Sequence, residues 1–414
     1  MTQTIELPWL YDRHSHVSLY GALLGCPDLS GCGRTEALAL LRGLPGDRVT
    51  TVVGWHSSRL AFTAEELEPL PPAILINFSL HGFALTGSAK RMLGPELPEL
   101  LERQGDPEWC ERNMERMFGF YGQSAGLTAE KLDLFMTGLQ RVGIGAVDDM
   151  LLTFESALEV IQASQWNSRI RCWTTPDIYR TLSPGSRAAV VGLKLFTDGA
   201  LGARTAAVTA PFRDGGDGLL LYTDPALEQA LEALHPLGKP VAIHAIGGRA
   251  VAQALTAVER LAARGLRFPW VRLEHVQFIS LPDALRAKDL GVTLSMQPNF
   301  NSDSVDYADR LDPAELEVNN PFRMLLDEAG FKCGEDLIFG SDGMPHGVEY
   351  ALQWSLFPAF PGQRLTVAEL VAGFGLPPTG QGRSTLTIDP DQRKVKLVAS
   401  VPESSALPAR AESR

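Results

Sequence analysis

From Arg169 onward, short apolar runs rich in β-branched residues alternate with segments whose apolar positions recur at helical period. That is the βαβα order of a parallel sheet covered by helices. RIRCWTT, AVVGLKLFTDG, PVAIHAIG, WVRLEHVQF, VTLSMQP and LIFGSDG are predicted strands, and Pro225 to Leu237 and Ala250 to Arg264 are predicted helices between them. LPWLYDRHSHV near the start and IGAVDDM at Ile144 to Met150 bring the strands to eight. Eight strands, the first and the last bearing polar residues at their C-terminal ends, fit a closed (β/α)8 TIM barrel, an α/β fold. An open doubly wound sheet would show a phosphate-binding glycine fingerprint after its first strand, and none is present there.

Two more strand-like runs, VTTVVGW and PPAILINFSL, fall between the first strand and Ile144, in a stretch far too long for an ordinary βα loop. They predict a lobe inserted at about residues 45–140, folded over the barrel mouth. Gly199 to Asp224 and Asn299 to Asp336 follow strand ends, so both long loops belong to the C-terminal face, where barrels carry their binding loops. Residues 1–375 are thus read as the barrel with its lobe, and 376–414 as a tail in which TLTIDPDQRKVKLVAS forms a β-hairpin around Pro390-Asp391-Gln392.

Composition narrows the function. Lys and Arg number 37 against 49 Asp and Glu, a formal net charge of −12, which argues against nucleic acid or an anionic membrane surface as partner. No apolar run approaches the ~20 residues that span a bilayer. Glu6 and Asp12 stand where a secretory signal carries basic residues, so the chain reads as cytoplasmic. Its five cysteines are scattered without a C-x-x-C, so neither a disulfide framework nor a zinc ribbon is indicated.

His14 and His16 close the first strand as an H-x-H pair, and period-two alternation turns both imidazoles the same way. The pair suits metal ligation, and equally a surface position. Lys194 lies in an apolar strand: facing inward its ammonium is costly unless paired or deprotonated, whereas facing outward it snorkels to water. An inward, neutral amine could add carbon dioxide and become a carbamate that bridges two cations. Phe196 and Asp198 share its face. His244 and His275 sit late in strongly β-forming runs, as ligands or as hydrogen-bonded core residues, and Asp342 ends LIFGSD as a ligand or a helix cap. Taken together, ligand-type residues close five separate strands in the order H-x-H, Lys, His, His, Asp. Nitrogen and oxygen donors without thiolate favour Zn, Mn, Fe, Co or Ni. Around this set, Arg204 and Thr205 are candidate substrate contacts or, for Arg204, half of an ion pair stapling its loop. Gln297 and Asn299 either line the seventh-strand loop or satisfy its backbone, and Trp55 with His56 would supply an aromatic wall.

These motifs resemble the amidohydrolase superfamily of metal-dependent hydrolases, and most of all its family 3 branch, which includes N-substituted formamide deformylase-like enzymes. LPWLYDRHSHV resembles the branch's opening strand, GLKLFTDGALGARTAAVTAPF its lysine strand and following loop, and VAIHAIGGRAVAQAL its fifth strand. RLEHVQFISLPDALRAKDLGVTLSMQPNF resembles its sixth and seventh strands, FGSDG its eighth, and VVGWHSSRLAFTAEELEPLPPAILINFSLHGFALTGSA its inserted segment. The resemblance covers roughly Leu7 to Gly375. It implies a centre of one or two divalent cations, zinc foremost, with His14, His16, His244 and His275 as ligands. It further implies Lys194 as a carboxylated bridge, Asp342 as ligand and proton shuttle, and His81, Arg204, Gln297 and Trp55 near the substrate. The implied reaction is hydrolysis of an amide-type carbon–nitrogen bond in a small molecule by a metal-activated hydroxide. The same centre would serve a lactone, carbamate or phosphoester, and a barrel kept for ligand binding or regulation is the reading from another class. Three departures stand out: Gly248 replaces the branch's usual Asp, His346 follows Asp342 in an unusual Met-Pro-His-Gly context, and the usual terminal β-sandwich is expected to be reduced to the hairpin. Surface left open by that reduction makes a homodimer an expectation.

Overall fold

The computed structural model describes residues 2–56, 59–77, 80, 82–93, 98–103, 106–379 and 382–400. Strand β1 (Gln3–Pro8) is followed at once by β2 (Leu10–Ser15). Next come β3 (Thr50–Trp55), β4 (Ala73–Asn77) and β5 (Phe83–Leu85). The chain continues through β6 (Ile144–Leu152), β7 (Ile170–Thr174), β8 (Gly192–Phe196), β9 (Val241–Ala245), β10 (Val271–His275), β11 (Thr293–Met296) and β12 (Leu337–Phe339). It ends with β13 (Arg383–Asp389) and β14 (Lys394–Ser400).

Eight of these form one parallel sheet in the order β12-β11-β10-β9-β8-β7-β6-β2, the eight predicted from the sequence. With helices between successive strands, the sheet is a (β/α)8 barrel. Its strands are buried on both faces, which is why they read as continuous apolar runs; all nine residues of β6 are buried. Neighbouring helices start at side-chain caps: Thr223 accepts from the Ala226 amide to open Asp224–Leu234, and Ser280 accepts from Asp283 to open Leu281–Asp289. The first and last strands meet where the Asp342 amide donates to the His14 carbonyl at 2.7 Å and the Ser341 amide donates to Asp12 Oδ1 at 2.8 Å. A Cβ at Gly340 would lie 2.3 Å from the His14 nitrogen, so the two strands come this close only because that position is glycine.

β13 and β14 form the expected hairpin, and β1 adds to it antiparallel, pairing Gln3 with Ile388 and Pro8 with Arg383. Residues from both parts of the chain therefore build this three-stranded sheet. Contacts divide the chain into two compact units, one of Met1–Val17, Met136–Leu152 and Ile161–Glu403, the other chiefly of Ser18–Phe135 with Thr153–Val160. The second unit contains the sheet β3-β4-β5, in which β3 and β4 run parallel and β4 and β5 antiparallel. Leu29, Leu41, Val52, Leu70 and Leu75 are among its core residues. Among the described residues no helix is long and apolar enough to cross a membrane.

Candidate metal centre

The end of β2 delivers His14, fully buried, and His16 follows just past it, 8% exposed. Asp342, just past β12, reaches both: its Oδ1 lies 3.1 Å from His16 Nε2 and 3.7 Å from His14 Nε2. Lys194, in the middle of β8, points inward and not to solvent. It is 1% exposed, with Nζ 3.2 Å from His14 Nε2 and 4.8 Å over the Phe196 ring. His275 stands with ring centroids 4.8 Å from His14 and 4.5 Å from His244. One ligand atom each of His14, His275 and Asp342 falls within 4.8 Å of the other two. Residues from opposite ends of the sequence thus converge at one end of the barrel.

Two of these histidines are aimed by their outer nitrogens. His275 Nδ1 pairs with Gln297 Oε1 at 2.7 Å, and His244 Nε2 with the Gly199 carbonyl at 3.0 Å. Each contact asks its nitrogen to carry the proton and leaves the other nitrogen with its lone pair. Strand alternation would put His275 opposite Glu274 and away from the centre. It reaches the centre because His275 (φ 72) and Val276 (φ 43) both turn left-handed where β10 ends. A β-branched residue at positive φ stores ~1–3 kcal/mol of backbone strain. The Val276 amide, donating to the Ala245 carbonyl at 3.0 Å, helps hold the bend.

Burial, then the Lys194 charge, pushes His14 down to about 4, and burial with His244 and His14 beside it puts His275 well below the usual imidazole range. Burial likewise lowers the Lys194 amine to about 8 against the pull of Asp342 and Glu274. Burial alone would raise Asp342, but the His14, His16 and His275 rings hold it well below the usual carboxylate range. Imidazoles at His14 and His275 held toward the neutral form, an ionised carboxylate and an amine able to shed its proton make a nitrogen and oxygen donor set that fits a divalent cation.

The surrounding candidates divide. Gln297 orients His275, and its Nε2 is buried with no hydrogen-bond partner among the described residues. Asn299 donates to the Ser341 and Met344 carbonyls, so it ties down the loop after β12. Arg204 is half exposed and ion-paired with Asp214 at 2.7 Å. The indole of Trp55 donates to the Leu60 carbonyl inside the lobe unit, and His81 lies outside the described residues. His346 Nε2 meets Ser15 Oγ at 2.9 Å. Asp198 accepts from the amides of Ala207, Ile246 and Gly247, pinning the loop after β8 to the turn after β9. At Gly248, a Cβ would lie 2.5 Å from Thr209 Oγ1, so the space of the family's Asp is already taken by that loop. A G-x-S-x-G run does occur at Gly122 to Gly126, but Ser124 lies in the helix Met114–Ala125 and not on the strand-to-helix turn that makes such a serine nucleophilic.

Sequence reasoning missed Glu274 and Arg272. Glu274 Oε2 lies 2.7 Å from His14 Nδ1, and Arg272 Nε lies 2.8 Å from Glu274 Oε1. The available signal was two charges spaced i, i+2 in an otherwise apolar strand, which places both on one buried face.

Comparison with known proteins agrees with this geometry. A segment is 30% identical over 144 residues to YtcJ of Bacillus subtilis, which is named as an amidohydrolase, covering 34% of this chain and 27% of that protein. Another is 34% identical over 118 residues to LONG AFTER FAR-RED 3 of Arabidopsis thaliana, covering 28% of this chain and 20% of that one. The matches thus span under a third of either relative. Two solved structures, described as metal-dependent hydrolases of Pyrococcus furiosus and Pyrococcus horikoshii, share the fold. Their TM-scores are 0.66 and 0.64 at 22% and 24% identity, over 89% and 85% of this chain and 80% and 74% of theirs. The amidohydrolase family model matches residues 124–355, more than half of the chain and the stretch that supplies seven of the eight barrel strands from end to end together with Lys194, His244, His275 and Asp342. By that match the chain belongs to amidohydrolase family 3.

Proposed function

We propose that this protein is a metal-dependent hydrolase that cleaves an amide-type carbon–nitrogen bond in a small molecule. The observation that carries the reading is the convergence of His14, His275 and Asp342 to within 4.8 Å, with His16, His244 and Lys194 packed around them. His14, His16, His244, His275 and Asp342 would hold one or two cations, zinc first among those that suit the donors. Lys194, carrying carbon dioxide as a carbamate, would add a second carboxylate to the set. A bound divalent cation supplies Lewis acidity and lowers the pKa of bound water to about 7.

The chain's own groups do the rest. Asp342 is the most open member of the cluster, its side chain 15% exposed against 0% for His14 and 10% for His16, so it faces the arriving substrate. It takes the proton of the attacking water and returns it to the leaving nitrogen as the carbon–nitrogen bond breaks. The test is metal analysis of the purified protein followed by a hydrolysis screen that pairs N-formyl and N-acyl amines with matching esters, lactones and phosphoesters. Metal-dependent release of amine supports the proposal. Turnover confined to the oxygen esters, or ligand binding without turnover in metal-loaded protein, refutes it.

A further inference from the structure

Behind the metal centre, a chain of charged groups runs through the barrel core. Arg272, Asp148 and Glu274 are each 0% exposed. Arg272 Nη1 donates to Asp148 Oδ2 at 2.8 Å, and Nη2 donates to the Arg13 carbonyl at 2.8 Å, Ser295 Oγ at 3.0 Å and Glu274 Oε2 at 3.2 Å. The rings of Trp173 and Trp270 each lie 5.1 Å from the guanidinium carbon. At the far end Tyr11 donates its hydroxyl to Asp148 Oδ1 at 2.5 Å. At the near end, Glu274 Oε2 meets His14 Nδ1 at 2.7 Å.

Ion networks of this kind are seldom the most stable filling for a core; apolar residues of similar volume do as well or better. The network's geometry points to another use. A carboxylate only accepts hydrogen bonds, so the His14 nitrogen facing it must carry the proton. The opposite nitrogen, Nε2, lies 3.2 Å from Lys194 Nζ and 3.7 Å from Asp342 Oδ1, toward the other donors. We infer that Glu274, braced by Arg272, is a positioning residue that locks His14 as the Nδ1–H tautomer and thereby sets the centre's affinity for its cation. The affinity half of this inference rests on the metal-centre reading above; the tautomer half rests on the chain alone.

Glu274→Gln discriminates this from simple packing because it keeps shape and removes the obligation to accept. Arg272 is a donor at both oxygens: at Oε1 its Nε lies 2.8 Å away, where an amide nitrogen would meet a donor head-on, whereas at Oε2 its Nη2 lies 3.2 Å away and keeps the Arg13 carbonyl and Ser295 Oγ as acceptors. The glutamine oxygen therefore turns to Arg272, the amide nitrogen turns to His14, and the imidazole must move its proton to Nε2. The experiment is long-range proton–nitrogen correlation on metal-free protein with 15N-labelled histidine, His14 being assigned from the spectrum of His14→Gln. Zinc and cobalt affinity are then measured by competition with a chromogenic chelator. Wild type is expected to show the Nδ1–H tautomer and Glu274→Gln the Nε2–H tautomer, with affinity weakened by about 10–100-fold. Glu274→Asp, which restores an acceptor-only partner, is expected to keep the wild-type tautomer. A wild-type His14 protonated on Nε2 overturns the inference without any variant, and so does a folded Glu274→Gln protein with unchanged tautomer and affinity. A tautomer that answers to Glu274 in a protein that takes up neither cation would instead sink the metal reading and leave the tautomer assignment standing.

Discussion

Gly248→Asp puts the side chain that most relatives are expected to carry into a space this chain has already filled. Position 248 opens the helix Gly248–Ala263, so three terms favour the substitution. An Asp in the first turn gains about 0.3–1 kcal/mol from the helix dipole, and replacing glycine gains roughly 0.4–1 kcal/mol more through helix propensity and the unfolded chain. Against this, the new Cβ would sit 2.5 Å from Thr209 Oγ1 and 3.1 Å from the Phe278 carbonyl. Overpacking on that scale costs about 1–3 kcal/mol, and a carboxylate held against a backbone carbonyl adds about 1–3 kcal/mol if it loses water without gaining a donor. The balance is a net destabilisation of about 1–3 kcal/mol. Thermal unfolding of wild type, Gly248→Asp, Thr209→Ala and the double variant closes a cycle. The penalty should shrink by about 1 kcal/mol or more when Thr209 is trimmed, because the two sites share one contact. A Gly248→Asp protein that melts at or above the wild-type temperature, or a penalty that ignores Thr209, would falsify the reasoning.

Lys194→Ala removes an inward donor, so chelator competition should show cation affinity at least tenfold weaker with the barrel still folded; unchanged affinity would remove Lys194 from the centre. Asp342→Asn keeps the shape but cannot take a proton, and turnover should fall about 1,000-fold in a steady-state assay with circular dichroism unchanged. Asp303 is raised to about 7 by burial, with Asp306 adding and the Gln277 hydrogen bond opposing. Between about pH 4 and pH 7 the folded protein keeps a proton that the unfolded chain has released, so stability falls as pH rises across that window. Asp303→Asn should therefore gain about 1–3 kcal/mol over wild type at pH 8 and little at pH 4, read from denaturant midpoints; an equal effect at both would refute the shift. Cation at 100 times its dissociation constant stabilises the fold by about 2.7 kcal/mol, so chelation should lower the melting temperature of loaded protein. A melt indifferent to chelator would count against a bound ion.

Much of the barrel could be read along the chain because its code is local. Two-sided burial makes each strand an apolar run, and period two fixes that His14 and His16 share a face, as do Lys194, Phe196 and Asp198. That was enough to place the eight strands and to gather the ligand-type residues at one end. β1 escaped notice because a short exposed strand shows its partner only after β13 has folded beside it. The direction of Lys194 was undecided in the sequence, since inward and outward lysines look alike until the barrel closes. His275 reaches the centre against strand alternation, through a left-handed bend at His275 and Val276 that no periodicity encodes. The partnership of Glu274 with His14 spans 260 positions, and that of Arg272 with Asp148 spans 124. That Gly248 departs from the branch's Asp is visible in the sequence, but that Thr209 fills the space a side chain would need there is not. The sequence by itself determined which residue types stand at the strand ends. Only the tertiary structure decided which nitrogen of His14 faces the other donors and what holds it there, because hydrogen bonds between strands far apart in the chain form only when the sheet closes.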